Sequence, residues 1–312
     1  MDTSFNVLTI HNQIVSWFSH VFSICAALSN ILILVFFHRL IKKHQSMTSY
    51  YLWTTLLIST DIATCLMGAS TALHSALSVN NSDNLKAWIL IGNLTCITIS
   101  VSFWTLTSLS YDRYRAITRP FGDKLPLKWI YAMYLAFVLV AFLVKYSSMY
   151  FEDDEKESLS TMVVSFVICE SIFPLTFIIF FYVKIEKALR FNASLVVPNH
   201  VRRKQNKRAL TVCKRLVQTF VLCVVPCRSA TLLIKCLLKF VYVQPSEART
   251  NLEICMLYSM AFLNLHCCAN VFVYGVQMAA FRRFIRQSLT CASIRETDND
   301  TKSFYQNKTT HS

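Results

Sequence analysis

Three charged side chains stand alone inside long apolar stretches of this chain. Asp61 is the single charge between His44 and Ser82, Glu170 between Ser158 and Val183, and Arg228 between Leu216 and Ile234. An ionised group in such surroundings is costly, so each needs partners or water, and such residues are functional candidates by default. Asn30, Ser102 and Asn270 sit near the middle of their own apolar runs, at a depth comparable to Asp61. Two chemistries fit these four residues. One is a hydrated polar pocket that holds a cation. The other is a hydrogen-bond network between helices. Glu170 lies about a turn before Pro174, and Arg228 lies two residues after Pro226. They read either as a charged cavity floor that recognises a polar ligand or as a clamp between neighbouring helices. Pro174 and Pro226 themselves read as hinges or as static bends. No nucleophile–base set and no metal-ligand cluster stands out, and Cys267-Cys268 beside His266 reads as packing, so the chain is not expected to be an enzyme.

Membrane-spanning helices must position these residues. The 312 residues are 54% hydrophobic and only 15% charged, against about 25% charged in soluble domains. A bilayer core needs roughly 20 apolar residues per helix, and seven such runs can be counted. The spans are placed at about 14–38, 50–77, 87–114, 128–150, 160–187, 209–240 and 251–276. A β-barrel is excluded, because its strands are alternating segments of about ten residues. Lipid offers the backbone no hydrogen-bond partners, so the spans must be helices. The expected architecture is an all-α membrane protein: a seven-helix bundle over residues 14–289, with a short N-terminus at 1–13 and a tail at 290–312.

Basic residues set the orientation. None occurs before Arg39, whereas ten lie between Lys184 and Arg215 and five between Arg113 and Lys128. The loop Glu152-Asp153-Asp154-Glu155-Lys156-Glu157 is acidic. The N-terminus is therefore expected outside and the C-terminus inside, with the first span an uncleaved anchor. The net charge of +14 thereby becomes a topology signal, and no nucleic-acid partner is expected. Asn80-Asn81-Ser82 lies in the first outer loop as a glycosylation candidate. All of the 12 Cys except Cys291 lie in or beside apolar spans, where Cys acts as a small hydrophobe.

At the inner end of span three stands Asp112-Arg113-Tyr114, with Pro120 seven residues after the Arg. Span six reads Phe220-Val221-Leu222-Cys223-Val224-Val225-Pro226, and span seven reads Asn270-Val271-Phe272-Val273-Tyr274. These segments resemble the DRY, FxxCWxP and NPxxY motifs of rhodopsin-like (class A) G-protein-coupled receptors. Asn30, Leu57 with Asp61, Trp129, Pro174 and Tyr182 fall at the family's marker positions. The resemblance covers all seven spans. It implies a plasma-membrane receptor that takes an extracellular ligand, a peptide or small molecule, between its outer helix halves. Ligand binding would open an inner crevice to a heterotrimeric G protein. By the same resemblance Arg113 is held by Asp112 until activation, and Tyr182 and Tyr274 then support it. Phe121 meets the G-protein α subunit. Asn30, Asp61, Ser102 and Asn270 match the family's sodium-sensitive pocket. An amphipathic helix over 278–289 lies on the inner membrane face, contacting lipid headgroups, with Cys291 as a palmitoylation candidate.

Departures from the family pattern bear on function. Trp88 stands where the family has its outer disulfide Cys, Val224 replaces the span-six Trp, and Val271 replaces the Pro of NPxxY. Asn206, Lys207 and Arg208 stand where an acid would form a second lock on Arg113, so raised basal activity is expected. Span seven has no Lys for a retinal Schiff base, and Thr95 replaces the Asp of amine receptors. Thr95, Glu170, Arg228, Tyr258 and Asn264 are candidates for the ligand cavity, with His74 and Met256 nearby; each reads equally as packing. The alternatives to a signalling receptor are a non-signalling seven-helix scavenger or dimer partner and, third, a transporter. Only four Gly and no visible repeat count against the last.

Overall fold

A computed structural model describes residues 2–44, 48–77, 85–119, 125–150, 172–194 and 278–289, with single positions between 211 and 273. Helices make up every regular element among these residues, and no strand occurs among them. The continuous helices are α1 (Asp2–His44), α2 (Ser49–Leu77), α3 (Leu85–Thr118), α4 (Leu127–Tyr150), α5 (Phe173–Ser194) and α6 (Ala279–Leu289). The described positions of spans six and seven, within 211–234 and 251–273, are helical as well.

Helix ends follow backbone chemistry, not hydropathy. Span one was placed at 14–38, yet α1 has 43 residues, about 64 Å at ~1.5 Å per residue. That is twice the roughly 30 Å hydrocarbon core. The sequence has no Gly or Pro from Asp2 to His44, so nothing stops the helix where the lipid ends. Residues 2–13, read from the sequence as a short terminus, form the outer turns of this helix. Likewise α3 runs past 114 to Thr118, just short of Pro120, and α5 runs past 187 to Ser194, ahead of Pro198. At the start of α2 the Thr48 hydroxyl accepts the Tyr51 N–H at 3.4 Å, an N-cap.

Packing is inside-out. Trp129, Leu135, Leu139, Val140, Phe142 and Leu143 of α4 point away from the bundle, as do Leu28, Ile31 and Val35 of α1. Lipid tails are as apolar as these side chains, so exposing them there carries no hydrophobic penalty. Helices of α1–α4 long and apolar enough to cross a membrane cover Gln13–Lys42, Ser49–Leu73, Leu90–Thr118 and Leu127–Tyr146. The interior holds Phe37, Leu52, Trp53, Ile58, Ile99, Phe103, Leu106, Leu109, Ile130 and Phe281, all closed to the surroundings.

Helix α3 is central, lying against α2, α4 and α5, while α1 packs along α2. Hydroxyls fill the tight interfaces. Thr54, Thr60, Thr64, Ser100, Thr105 and Ser110 each donate to the carbonyl four residues back, at 2.7–3.0 Å. Their polar atoms are thus satisfied within one helix, which lets small side chains be buried without water. Thr60 also meets the Tyr134 hydroxyl of α4 at 2.8 Å, joining two helices.

Candidate functional site

Two polar centres lie along the bundle axis. In the first, the Ser102 hydroxyl of α3 donates to Asp61 Oδ1 of α2 at 2.9 Å. Both residues are closed off, with Asp61 2% exposed and Ser102 fully buried. Asn30 of α1, also fully buried, donates from Nδ2 to the carbonyls of Ala26 and Cys267, each at 3.0 Å. The second of these bonds crosses to span seven. It is possible because Ala26, Ala27, Cys65 and Cys267 form a cluster of small buried residues, and small side chains let helix backbones approach closely. Among the described residues Asn30 Oδ1 has no hydrogen-bond partner. Asn270, the fourth member expected here, lies outside the described residues.

A carboxylate, a hydroxyl and an amide carbonyl are the oxygens a hard cation takes, and Asp61, Ser102 and Asn30 carry one each. No cluster of three or more His, Cys, Asp or Glu that could hold a metal ion occurs among the described residues.

The second centre is at the inner end of α3. Asp112 is buried, and its Oδ2 accepts both Nε, at 3.1 Å, and Nη2 of Arg113 in an ion pair. The Arg113 side chain is 13% exposed. On its other side lies Tyr50 of α2, whose ring centre is 4.4 Å from the guanidinium carbon. Tyr114 packs beside Phe181 of α5 at 5.8 Å, and Phe181 also meets Tyr111 at 5.3 Å. Tyr182 lies one residue on, lining a groove of about 310 Å³ between α5 and span six. Ile178, Val217 and Gln218 line it too, and Glu186 and Lys214 bring charge to it. Phe121 and Tyr274 lie outside the described residues.

Pro174 is buried near the start of the described part of α5. Its carbonyl accepts the Thr107 hydroxyl of α3 at 3.4 Å. Pro226 is exposed on the outside of span six. Behind the inner face, α6 docks through Phe281, which is fully buried, against Phe36 of α1 at 5.1 Å. Arg39 of α1 lies over the Phe284 ring at 5.2 Å, and Arg282, Arg283 and Arg286 remain exposed. A helix with one aromatic face and one basic face is built for a membrane surface.

A family model described as "7 transmembrane receptor (rhodopsin family)" matches residues 29–274. The chain belongs to the rhodopsin-like receptor family. Its fold is similar to that of squid rhodopsin, with a TM-score of 0.71 over 95% of this chain and 91% of that one, at 17% identity. No curated protein was found to match it.

The receptor's outer half is less fully described than its inner half. Of the residues expected to line a ligand cavity, Thr95 is half-buried and donates to the Ile91 carbonyl of its own helix at 3.0 Å. Tyr258 is 37% exposed, and its hydroxyl lies 3.2 Å from His11 Nδ1. Glu170, Arg228 and Asn264 lie outside the described residues, as do Asn80 and Cys291. Three polar contacts escape the sequence reading: His11 with Tyr258, Tyr50 with Arg113, and His20 Nδ1 with the Ala69 carbonyl at 2.8 Å. Pairing Tyr50-Tyr51 at a membrane boundary was the one available signal, and it points only to an interface belt.

Proposed function

We propose that this receptor binds an extracellular ligand between its outer helix halves and activates a heterotrimeric G protein through the inner ends of spans three, five, six and seven. The observation that carries the reading is Arg113, a nearly closed-off cation at the inner end of α3 with a neutralising Asp112 beside it. A cation so placed is stable only while its partners stay, and its release is a two-state event that a bound ligand can bias. Tyr182 and Tyr274 are its supports after release, and Phe121 with the basic inner loop supplies contacts to the G protein. The receptor sits in the plasma membrane with its N-terminus outside, its seven spans over 14–276, its surface helix over 278–289 and its tail in the cytoplasm. Asn80 carries the glycan and Cys291 the palmitoyl group.

The ligand is neither retinal, since residues 251–276 contain no Lys, nor a classical monoamine, since Thr95 brings no charge to span three. It remains a peptide or small molecule. Asp61, Ser102, Asn30 and Asn270 would hold a sodium ion, which would supply a positive charge to balance the Asp61 carboxylate. What this receptor's own residues do there is hold the Asp61 carboxylate in place through the Ser102 hydroxyl.

The test is nucleotide exchange in cells that co-express the receptor with each class of G-protein α subunit. Constitutive exchange above mock-transfected cells, abolished by Arg113→Ala at equal surface expression, supports the reading. Identical signals from receptor, variant and mock across every class, with and without screened ligands, favour a scavenger or dimer partner.

A further inference from the structure

Arg113 meets both a carboxylate and an aromatic ring. Asp112 pairs with it within α3. On the other side, the face of Tyr50 in the first turn of α2 stands 4.4 Å from the guanidinium carbon. The Tyr51 ring packs beside that of Tyr50 at 5.6 Å and reaches Phe37 of α1 at 6.0 Å. Meanwhile the sequence holds no Asp or Glu between Glu186 and Glu247, so neither span six nor the loop before it has a carboxylate to offer Arg113.

We propose that Tyr50 is a positioning residue that takes the place of that missing carboxylate, holding Arg113 against α2 until coupling draws it away. The inference deepens the G-protein reading and rests on it for its role in signalling. A cation over an aromatic face is attracted by the ring quadrupole, and more strongly where water is kept away. Arg113, at 13% exposure, is in that regime. The restraint therefore runs between spans two and three, not between spans three and six. Its consequence is a receptor quieter than the missing acid alone predicts.

Two substitutions separate ring electrostatics from mere bulk. Tyr50→Leu keeps an apolar side chain but removes the ring face, whereas Tyr50→Phe keeps the face and drops the hydroxyl. Basal nucleotide exchange, normalised to surface expression, is expected to rise roughly three- to ten-fold with Tyr50→Leu. Tyr50→Phe is expected to restore the low level. Where wild-type exchange stands above mock cells and falls with Arg113→Ala, equal basal exchange in wild type and the Leu variant overturns the proposal. If wild type, both variants and Arg113→Ala all match mock cells, it is the G-protein reading that has failed. The restraint is then decided by hydrogen–deuterium exchange over residues 110–118 in the purified full chain. Faster exchange in the Leu variant and not the Phe variant sustains the proposal, and equal rates in all three overturn it.

Discussion

The amide of Asn30 in α1 bonds the backbone carbonyl of Cys267 in span seven at 3.0 Å, joining the first and seventh spans of the bundle. The bond is fully buried, and the same Nδ2 also satisfies the Ala26 carbonyl of its own helix. A helix carbonyl is already satisfied within its own helix, so the Asn30 amide adds a second donor to that of Cys267. Asn30→Ala therefore removes a helix–helix tether and leaves the Cys267 carbonyl with less. The expected cost is about 1–3 kcal/mol, read as a lower thermal midpoint of the purified receptor. A midpoint equal to wild type would show that the tether carries no stability.

Asp61 and Ser102 give a second prediction. If a sodium ion shares this pocket, raising NaCl against choline chloride at constant ionic strength raises the thermal midpoint. Asp61→Asn abolishes that dependence, because the amide brings no charge to balance the ion. Ser102→Ala keeps the charge and weakens the dependence, since Asp61 Oδ1 loses the donor at 2.9 Å. A sodium response that survives Asp61→Asn places the ion elsewhere.

How far the sequence reaches differs between these centres. A lone acid in an apolar run demands a partner, and depth along neighbouring spans offers Asn30, Ser102 and Asn270, of which the bond is made by Ser102. The Asp112–Arg113 pair is legible through the resemblance of its segment to the family's DRY motif. Tyr50 is not legible in that way. An aromatic at the inner boundary has an ordinary role in the interfacial belt, and no periodicity tells which face of α2 meets α3. The length of α1 escapes for a different reason. Hydropathy marks where lipid begins, whereas a helix ends only at a breaker, and α1 has none before His44.

The corner between α1 and α6 is a packing joint with a charged rim. Phe281 meets Phe36 at 5.1 Å, edge to face, and Phe284 lies 5.5 Å from Phe36 and beneath Arg39. Phe281→Ala opens a cavity under α6 and is expected to cost about 2 kcal/mol, a value kept low because lipid contributes no hydrophobic gain between helices. Detachment of α6 should follow, seen as faster proteolysis after Arg282, Arg283 or Arg286. Arg39→Gln leaves the ring cluster in place and should change proteolysis little. Equal effects of the two variants would mean that the cation, not the ring packing, seats α6.

At the outer face, the His11–Tyr258 contact exists because α1 continues through residues that a hydropathy reading treats as a terminus. The pair joins the first turns of α1 to the beginning of span seven at 3.2 Å. Their rings also lie 6.0 Å apart, edge to face. One hydrogen bond at a partly exposed site contributes only about 0.5–1.5 kcal/mol, so single substitutions cannot separate it from lost packing. A double-mutant cycle with His11→Ala and Tyr258→Phe isolates it. The expected coupling is about 0.5–1 kcal/mol in thermal unfolding, with the double variant no less stable than the worse single one by more than experimental scatter. Strict additivity would mean that the two side chains do not hold one another, and that α1 reaches span seven through packing alone.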